Sequence, residues 1–327
     1  MHAMRYHEFG SPECLQDDVV ERPRPAQDEV LIELAAAGVN PADWQLGAGY
    51  ARGFLELPMP FIPGMDFAGV VREVGSGVTG FAIGDRVFGA ALIARCGTYA
   101  EYVAVPAAIV EHAPGNLPLY MAAAVPLAAQ TAWAATIGAT HGNVRAGQRV
   151  LIQGGAGGTG MFAIQFAKQR GAHVIATGSA GNHDWLRSLG ANEVVDYSAV
   201  RFEDVVDPVD AVIDLVGGDV TARSIPLIRA GGVLASIVRP PDSVAECEAV
   251  ARRHDVRLSF VDMSVDRDPA AFNEIARQLG SGALKVALSE TYPLRQASQA
   301  LAASRTGHVR GKIVLTIGSL NQAVGTI

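Results

Sequence analysis

The stretch LIQGGAGGTGMFAIQ, residues 151–165, places five glycines within the seven positions 154–160. Branched apolar residues precede these glycines, and apolar residues at helical spacing follow them. Residues Gly155, Gly157 and Gly160 fit the pattern G-x-G-x-x-G. At that spacing one glycine turns tightly, one lets the backbone approach a pyrophosphate, and one packs the helix against the strand. The stretch predicts a dinucleotide-binding loop, and a tight turn without a ligand is the alternative.

The phosphates bound by such a loop lie at the N-terminal end of its helix, where free N–H groups and the helix dipole favour negative charge. A second apolar strand, HVIAT, follows the helix and completes a strand–helix–strand unit. We therefore expect the cofactor to contact the loop residues Gly155, Ala156, Gly157, Gly158, Thr159 and Gly160.

The end of the second strand predicts which dinucleotide is bound. An NAD site carries Asp or Glu about 20 residues beyond the glycines, whereas this chain has ATGSAGNHDW at 176–185. Thr177, Gly178 and Ser179 lie at the strand tip, and Tyr197 is a further candidate donor; none is a carboxylate that would repel a 2'-phosphate. NADPH is the expected cofactor, and a polar loop that accepts either dinucleotide is the alternative.

Outside the glycine stretch, the chain divides into two patterns. From Val150 onward, strand-like runs alternate with helix-like segments, which predicts a doubly wound parallel sheet. The first 120 residues contain short strand-like runs separated by Gly, Pro and Asp, as in an antiparallel, partly barrel-like domain. The segment after about Asp262 has too few strands for a third domain. We expect an α/β protein with one domain formed by 1–122 plus 263–327 and a dinucleotide-binding domain at 123–262.

Composition and charge exclude several partners. A net charge of -7 gives no basic surface for nucleic acid or for an anionic membrane. The most apolar stretch, at 121–140, is interrupted by Pro126 and Gln130 and is a poor membrane span. The three cysteines form no disulfide framework, and the first ten residues contain no apolar segment typical of a secretory signal. We expect a cytoplasmic protein.

Motifs along nearly the whole chain resemble one superfamily. They include AAAGVNPADW (35–44), PFIPGMDFAGVVREVGSGV (60–78), GTYAEYVAVPA (97–107), GQRVLIQGGAGGTGMFAIQFAK (147–168) and GHVRGKIVL (307–315). The chain resembles the medium-chain dehydrogenases/reductases and, among them, the zinc-free NADPH:quinone oxidoreductases related to zeta-crystallin. The resemblance implies a GroES-like domain and a Rossmann domain, a nicotinamide cleft between them, and a homodimer.

The chain departs from the zinc-dependent branch of that superfamily at the ligand positions. Asn40 replaces a cysteine ligand, and Met65 and Asp66 replace a histidine and a glutamate. Zinc needs three or four N, S or O ligands, so we expect no bound metal. Without that Lewis acid, reduction of a quinone or an activated alkene is favoured, because its oxyanion is delocalised and needs only weaker hydrogen bonds.

The matching segments also supply candidate residues around the nicotinamide. Asn40 and Asp43 are expected to face the acceptor oxygen or the cofactor ribose, although Asn40 alternatively caps the next helical turn. Gln130 and Thr131 are expected near the nicotinamide amide, or form a neutral pair on a helix face. Val216 and Gly217, in DLVGG after the fourth strand, are expected at the cofactor-binding edge of the sheet.

The resulting prediction is a zinc-independent, NADPH-dependent reductase of a quinone or an activated enone. Within the same fold, a 2-enoyl-thioester reductase is the alternative, and this would need a proton donor and a long acyl pocket. A catalytically weak NADPH-binding protein is the alternative from another functional class. The homodimer is expected to form between sheet edges, since GGVLASIV or VRLSFVD should end the sheet as an apolar strand.

Overall fold

The computed structural model describes residues 1–53, 55–239, 244–318 and 320 of the 327-residue chain. The strands of the described residues are β1 (His2–Tyr6), β2 (Leu15–Val19), β3 (Glu29–Val39), β4 (Asp66–Val74), β5 (Arg86–Ala90), β6 (Tyr102–Pro106), β7 (Val110–His112), β8 (Arg149–Gln153), β9 (His173–Thr177), β10 (Glu193–Val195), β11 (Val209–Asp214), β12 (Ile228–Ser236), β13 (Arg257–Phe260), β14 (Leu288–Pro293) and β15 (Lys312–Thr316). The helices are α1 (Pro41–Gly47), α2 (Leu119–Ala122), α3 (Pro126–Ile137), α4 (Gly158–Gln169), α5 (His183–Leu189), α6 (Asp219–Ser224), α7 (Val244–Arg253), α8 (Pro269–Gly280) and α9 (Ala297–Arg305). The chain forms two compact units, which divide after Leu127 and again before Pro269.

The first unit is built on a mainly antiparallel sheet with the order β14-β15-β3-β4-β5-β7, in which β6 also pairs with β3. Strand β3 lies inside this sheet because its apolar run EVLIELAAAGV is buried at every position except Glu33. Strands β14 and β15 extend the sheet, and β15 pairs antiparallel with β3. This pairing places the C-terminal strand β15 in the same sheet as the N-terminal strands.

The second unit contains a parallel sheet with the order β10-β9-β8-β11-β12-β13. Strand order reverses between β8 and β11, so the loops after these two neighbouring strands leave the same edge of the sheet in opposite directions. The predicted α/β architecture of a GroES-like domain and a doubly wound Rossmann domain is therefore confirmed. Of the two apolar runs expected to include an edge strand, VRLSFVD forms the edge as β13, whereas GGVLASIV lies inside the sheet as β12.

Burial explains why the glycine stretch is flanked by such apolar elements. Four of the five residues of β8 are buried, and α4 is buried from Gly160 through Ala167. Both elements lie in the interior of the second unit, which fixes the position of the loop between them. No helix in the described part of the chain is long and apolar enough to cross a membrane.

Candidate functional site

The glycine loop connects β8 to α4, with Gly157 at the N-cap of the helix. Gly154 turns the chain with a φ of +73°, in the left-handed region that favours glycine. A Cβ on Gly160 would fall within 2.7 Å of the Gly155 backbone. Gly160 therefore allows the first turn of α4 to pack directly on the loop, as the spacing predicts.

Gly157 has a different environment from Gly160. The space around Gly157 shows whether the loop can accept the phosphates of a dinucleotide. A Cβ at Gly157 would meet one protein atom within 4 Å, the Gly154 carbonyl oxygen at 3.5 Å, and the backbone is in the extended region. The fold itself therefore has room for a Cβ at this position. Glycine there keeps the space in front of the helix N-terminus open, and the residues present fit a bound phosphate.

Thr177 positions the glycine loop from behind. Its buried hydroxyl accepts a hydrogen bond from the Gly154 N–H at 3.0 Å and donates to Gln153 Oε1 at 2.9 Å. The Thr177 carbonyl accepts from the Gly155 N–H at 3.0 Å. The Thr177 hydroxyl proton is thus already used in the bond to Gln153. A direct contact with the cofactor was expected for Thr177, and in the structure its hydroxyl supports the glycine loop.

At the tip of β9 Gly178 is packed and Ser179 is half-buried, and Tyr197 follows the neighbouring strand β10. Gly178 is buried, and a Cβ there would lie 2.7 Å from Leu186 Cδ1, so this glycine serves packing. Ser179 is half-buried and its Oγ accepts from Asn182 Nδ2 at 3.1 Å, which leaves the hydroxyl proton for a ligand. Tyr197 is 52% exposed.

The loop after β11 is organised by Asp214, which sequence reasoning did not identify. Its buried Oδ1 accepts from the N–H groups of Val216 and Gly217 at 3.0 and 2.9 Å, and its Oδ2 accepts from Thr221 and Ser236. Gly217 has a φ of +77°, and the Val216 side chain is half exposed. The sequence feature that could have identified Asp214 is its position as an acidic residue at the end of a buried apolar strand.

In the first unit, Asn40 stands at the N-cap of α1, but its side chain does more than cap the helix. The Asn40 Nδ2 donates to Asp66 Oδ2 at 2.9 Å, and its Oδ1 accepts from the Lys312 ammonium. The Asn40 backbone N–H donates to Asp43 Oδ2 at 2.8 Å. Asn40 itself is 5% exposed, so the residue is almost completely buried.

Asp43 lies inside the first unit with no exposed surface. Its Oδ2 also accepts from the Tyr99 hydroxyl at 2.9 Å, and its Oδ1 has no hydrogen-bond partner among the described residues. Burial raises the pKa of this carboxyl to about 7, against the opposing effect of the hydrogen bonds from Asn40 and Tyr99. Asp43 was expected to face the acceptor or the ribose, and the structure instead places it behind Asn40.

Lys312 and Asp66 form a buried ion pair beside Asn40, with the ammonium 3.2 Å from Asp66 Oδ2. The second Asp66 oxygen accepts from the Leu127 N–H, in the first turn of α3, at 2.7 Å. Sequence reasoning missed Lys312 and Tyr99, although a lysine at the start of the apolar strand KIVLT is an unusual residue for a buried position.

Gln130 and Thr131 are adjacent residues of α3 that belong to the second unit. They are 7% and 8% exposed, and both have interaction partners. The structure therefore makes both residues nearly buried polar groups on this helix, in an environment otherwise rich in alanine.

The residues at the expected zinc-ligand positions do not fit a zinc site. Asn40 and Met65 are poor substitutes for cysteine and histidine, and Met65 is 2% exposed within the apolar core. The Asp66 carboxylate is already paired with the Lys312 ammonium. Within residues 1–53, 55–239, 244–318 and 320, no group of three or more His, Cys, Asp and Glu side chains could hold a metal ion.

Family models match both units of the chain. Residues 26–115 match the alcohol dehydrogenase GroES-like domain, and residues 189–315 match the family described as zinc-binding dehydrogenase. Among known proteins, the chloroplast envelope quinone oxidoreductase homolog of Arabidopsis thaliana is 31% identical over 323 residues, which cover 96% of this chain and 98% of that protein. The 2-methylene-furan-3-one reductase of Solanum lycopersicum is 38% identical over 253 residues, which cover 74% of this chain; the chain spans 64% of the length of that relative.

Solved structures agree with these matches. The quinone oxidoreductase of Coxiella burnetii superimposes with a TM-score of 0.88 at 33% identity, covering 97% of this chain and 99% of that one. A mycobacterial protein solved in complex with NADPH gives a TM-score of 0.84 at 29% identity, with 97% and 99% coverage. The match to full-length quinone oxidoreductase relatives in both sequence and fold shows that this chain belongs to the medium-chain dehydrogenase/reductase superfamily, in its quinone oxidoreductase subgroup.

Proposed function

We propose that this NAD(P)H-dependent oxidoreductase uses NADPH to reduce a quinone or an activated enone without a metal. The observation that carries the proposal is the Asn40 carboxamide, which hydrogen bonds hold between Asp66 and Lys312 at a position where zinc-dependent relatives carry a ligand. A carboxamide donates a neutral hydrogen bond, and this suffices for an acceptor that spreads its developing negative charge over several atoms.

The bound dinucleotide would supply the hydride. The chain would hold its pyrophosphate on the backbone of the loop formed by Gly155, Ala156, Gly157, Gly158, Thr159 and Gly160. Thr177 and Gly178 shape that loop and the adjacent strand end, while Ser179 and Tyr197 are the proposed donors to a 2'-phosphate. Val216 and Gly217 present the backbone of the neighbouring loop, which Asp214 fixes.

On the acceptor side, Asn40 is the proposed donor to the acceptor oxygen. Asp43 holds the Asn40 backbone N–H and so positions that donor from inside the unit. Gln130 is proposed to orient the reacting groups, with Thr131 beside it on α3 toward the nicotinamide amide. These residues would align the acceptor with the nicotinamide and polarise the acceptor oxygen. The redox chemistry itself takes place between the cofactor and the acceptor.

The relatives support this substrate class by their names, which describe quinone oxidoreductases and a reductase of a methylene-furanone, an activated enone. The structure solved with NADPH supports the choice of cofactor. A homodimer formed through β13 is a further proposal, supported by the edge position of that strand. A cytoplasmic location is proposed as well, since the three cysteines form no disulfide framework. A monomer in sedimentation at micromolar concentration would contradict the dimer.

A panel of acceptors tests the function through NADPH oxidation by the purified protein. It contains benzoquinone, a naphthoquinone, a linear enone, a 2-enoyl thioester and a simple ketone. We expect turnover of quinones and enones, with little turnover of the thioester and the ketone. Turnover confined to the thioester would indicate the enoyl-thioester reductase, and NADPH binding with no turnover of any acceptor would indicate a weakly catalytic binding protein.

A further inference from the structure

The Lys312 ammonium has three N–H groups, and each has an acceptor inside the first unit. They donate to the Val39 carbonyl at 2.9 Å, to Asn40 Oδ1, and to Asp66 Oδ2 at 3.2 Å. Lys312 is 4% exposed, so these bonds replace its hydration almost completely. A lysine with every donor used in this way has no N–H left for a ligand, and its effect on chemistry must pass through its neighbours.

The neighbour most affected is Asn40, because a carboxamide can rotate by 180° and exchange its oxygen and nitrogen. In the observed orientation the oxygen faces the ammonium and the nitrogen faces the Asp66 carboxylate. The flipped amide would set N–H groups against a cation and an oxygen against an anion. Lys312 and Asp66 together therefore permit one orientation, which leaves the second N–H of Nδ2 for a ligand.

Lys312 also neutralises the buried charge of Asp66. Its carboxylate has no exposed surface, and without the ammonium it would be a buried charge whose remaining donors are Asn40 and the Leu127 N–H. The same carboxylate accepts from the first turn of α3, the helix that continues to Gln130 and Thr131. One cation thus stabilises both the Asn40 orientation and the anchoring of this helix start.

We propose that Lys312 is a positioning residue for acceptor reduction, which fixes the Asn40 carboxamide with one N–H directed to the acceptor oxygen. The ammonium contacts the residues that stand at the expected cysteine-ligand and glutamate positions of a zinc site. This inference rests on the proposed function.

The test uses the double variant Lys312→Met/Asp66→Asn, since the single variant Lys312→Met leaves Asp66 buried without its counter-ion and can fail to fold. The double variant removes both charges, keeps similar side-chain volumes, and should remain folded. We expect kcat for naphthoquinone to fall by about 10-fold to 100-fold, while the Kd for NADPH changes by less than about 3-fold. The exposed Lys285→Met is the matched control and should leave both constants unchanged.

A second readout does not depend on activity. In protein labelled with ¹⁵N at asparagine side chains, the Asn40 Nδ2 signals are identified by their absence in Asn40→Ala. We expect them to be shifted, and to exchange faster with solvent, in the double variant but not in Lys285→Met. Wild-type kcat in the double variant, or unchanged Asn40 signals, would overturn the positioning role. Should the wild type reduce no quinone or enone, the proposed function fails and the amide signals alone decide whether Lys312 orients Asn40.

Discussion

The two candidate regions of this protein are built in opposite ways. In the second unit the groups proposed to hold the pyrophosphate are backbone atoms, and side chains such as Thr177 and Asp214 hold that backbone from behind. In the first unit the candidate donor is a side chain, Asn40, and a buried ion pair holds it. Backbone sites need empty space and are sensitive to added volume, whereas a side-chain site needs orientation and is sensitive to lost charge.

The largest effect expected from this difference is at Gly157. Gly157→Val should fold, because a Cβ there meets only the Gly154 carbonyl oxygen, at 3.5 Å, and the backbone is extended, but the valine would fill the space proposed for the phosphate. Loss of two or more charge-assisted hydrogen bonds, at about 1.5–3 kcal/mol each, should raise the Kd for NADPH by about 100-fold or more. Calorimetric titration measures the Kd, and thermal unfolding checks the fold.

Gly160→Val is the matched control within the same loop. A side chain there would collide with the Gly155 backbone, so the expected result is a large drop in thermal stability. If Gly157→Val binds NADPH like the wild type, the assignment of the phosphate loop is wrong.

Asn40→Ala should have the next largest effect, confined to the acceptor. Removing one donor to a developing oxyanion lowers kcat by about 100-fold in other enzymes, and we expect a loss of similar size in kcat/KM for naphthoquinone. The Kd for NADPH should change little, because the loop of the second unit is untouched. Equal losses in NADPH binding and in quinone turnover would contradict a role on the acceptor side.

Asp43 predicts a pH dependence of stability. Burial raises its pKa from an ordinary 3.8 to about 7 in the folded protein, so the folded state retains a proton that the unfolded chain releases as pH rises. The free energy of unfolding should therefore decrease between about pH 4 and pH 7, by up to about 1.4 kcal/mol per pH unit, and level off above that range.

The variant Asp43→Asn isolates this contribution, because the other titrating groups remain. Urea unfolding of both proteins from pH 4.5 to 8 gives the difference in free energy at each pH. We expect the wild type to lose stability relative to Asp43→Asn as pH rises to about 7. A difference that does not change with pH would mean that Asp43 titrates near its ordinary value.

The smallest expected effect is the preference for NADPH over NADH, at about 10-fold in Kd. A charge-assisted hydrogen bond from Ser179 or Tyr197 to the 2'-phosphate would provide about 1.5 kcal/mol or more. The half-buried Asp196 limits the gain, since it lies next to Tyr197 in the chain and its charge interacts with His183. Equal dissociation constants for the two dinucleotides would contradict the preference.

The difference between a backbone site and a side-chain site also explains how well the sequence predicts each region. The glycine loop was predictable because glycine spacing directly encodes backbone geometry. The apolar runs GGVLASIV and VRLSFVD did not distinguish which of the two strands ends the sheet. The Asn40 network was not predictable from the sequence, because Lys312 lies 272 positions from Asn40. Neither local spacing nor periodicity indicates that these two residues are in contact. Thr177 and Asp43 were recognised as polar residues near a site, but only their contacts reveal that both point inward.

The most direct test of the account compares two acceptors with NADPH as the donor. We predict that kcat/KM for naphthoquinone exceeds that for cyclohexanone by at least about 100-fold, because the neutral Asn40 donor can stabilise a delocalised oxyanion but not a localised alkoxide. Comparable values for the two acceptors, or strong turnover of enoyl thioesters without any turnover of quinones, would contradict it.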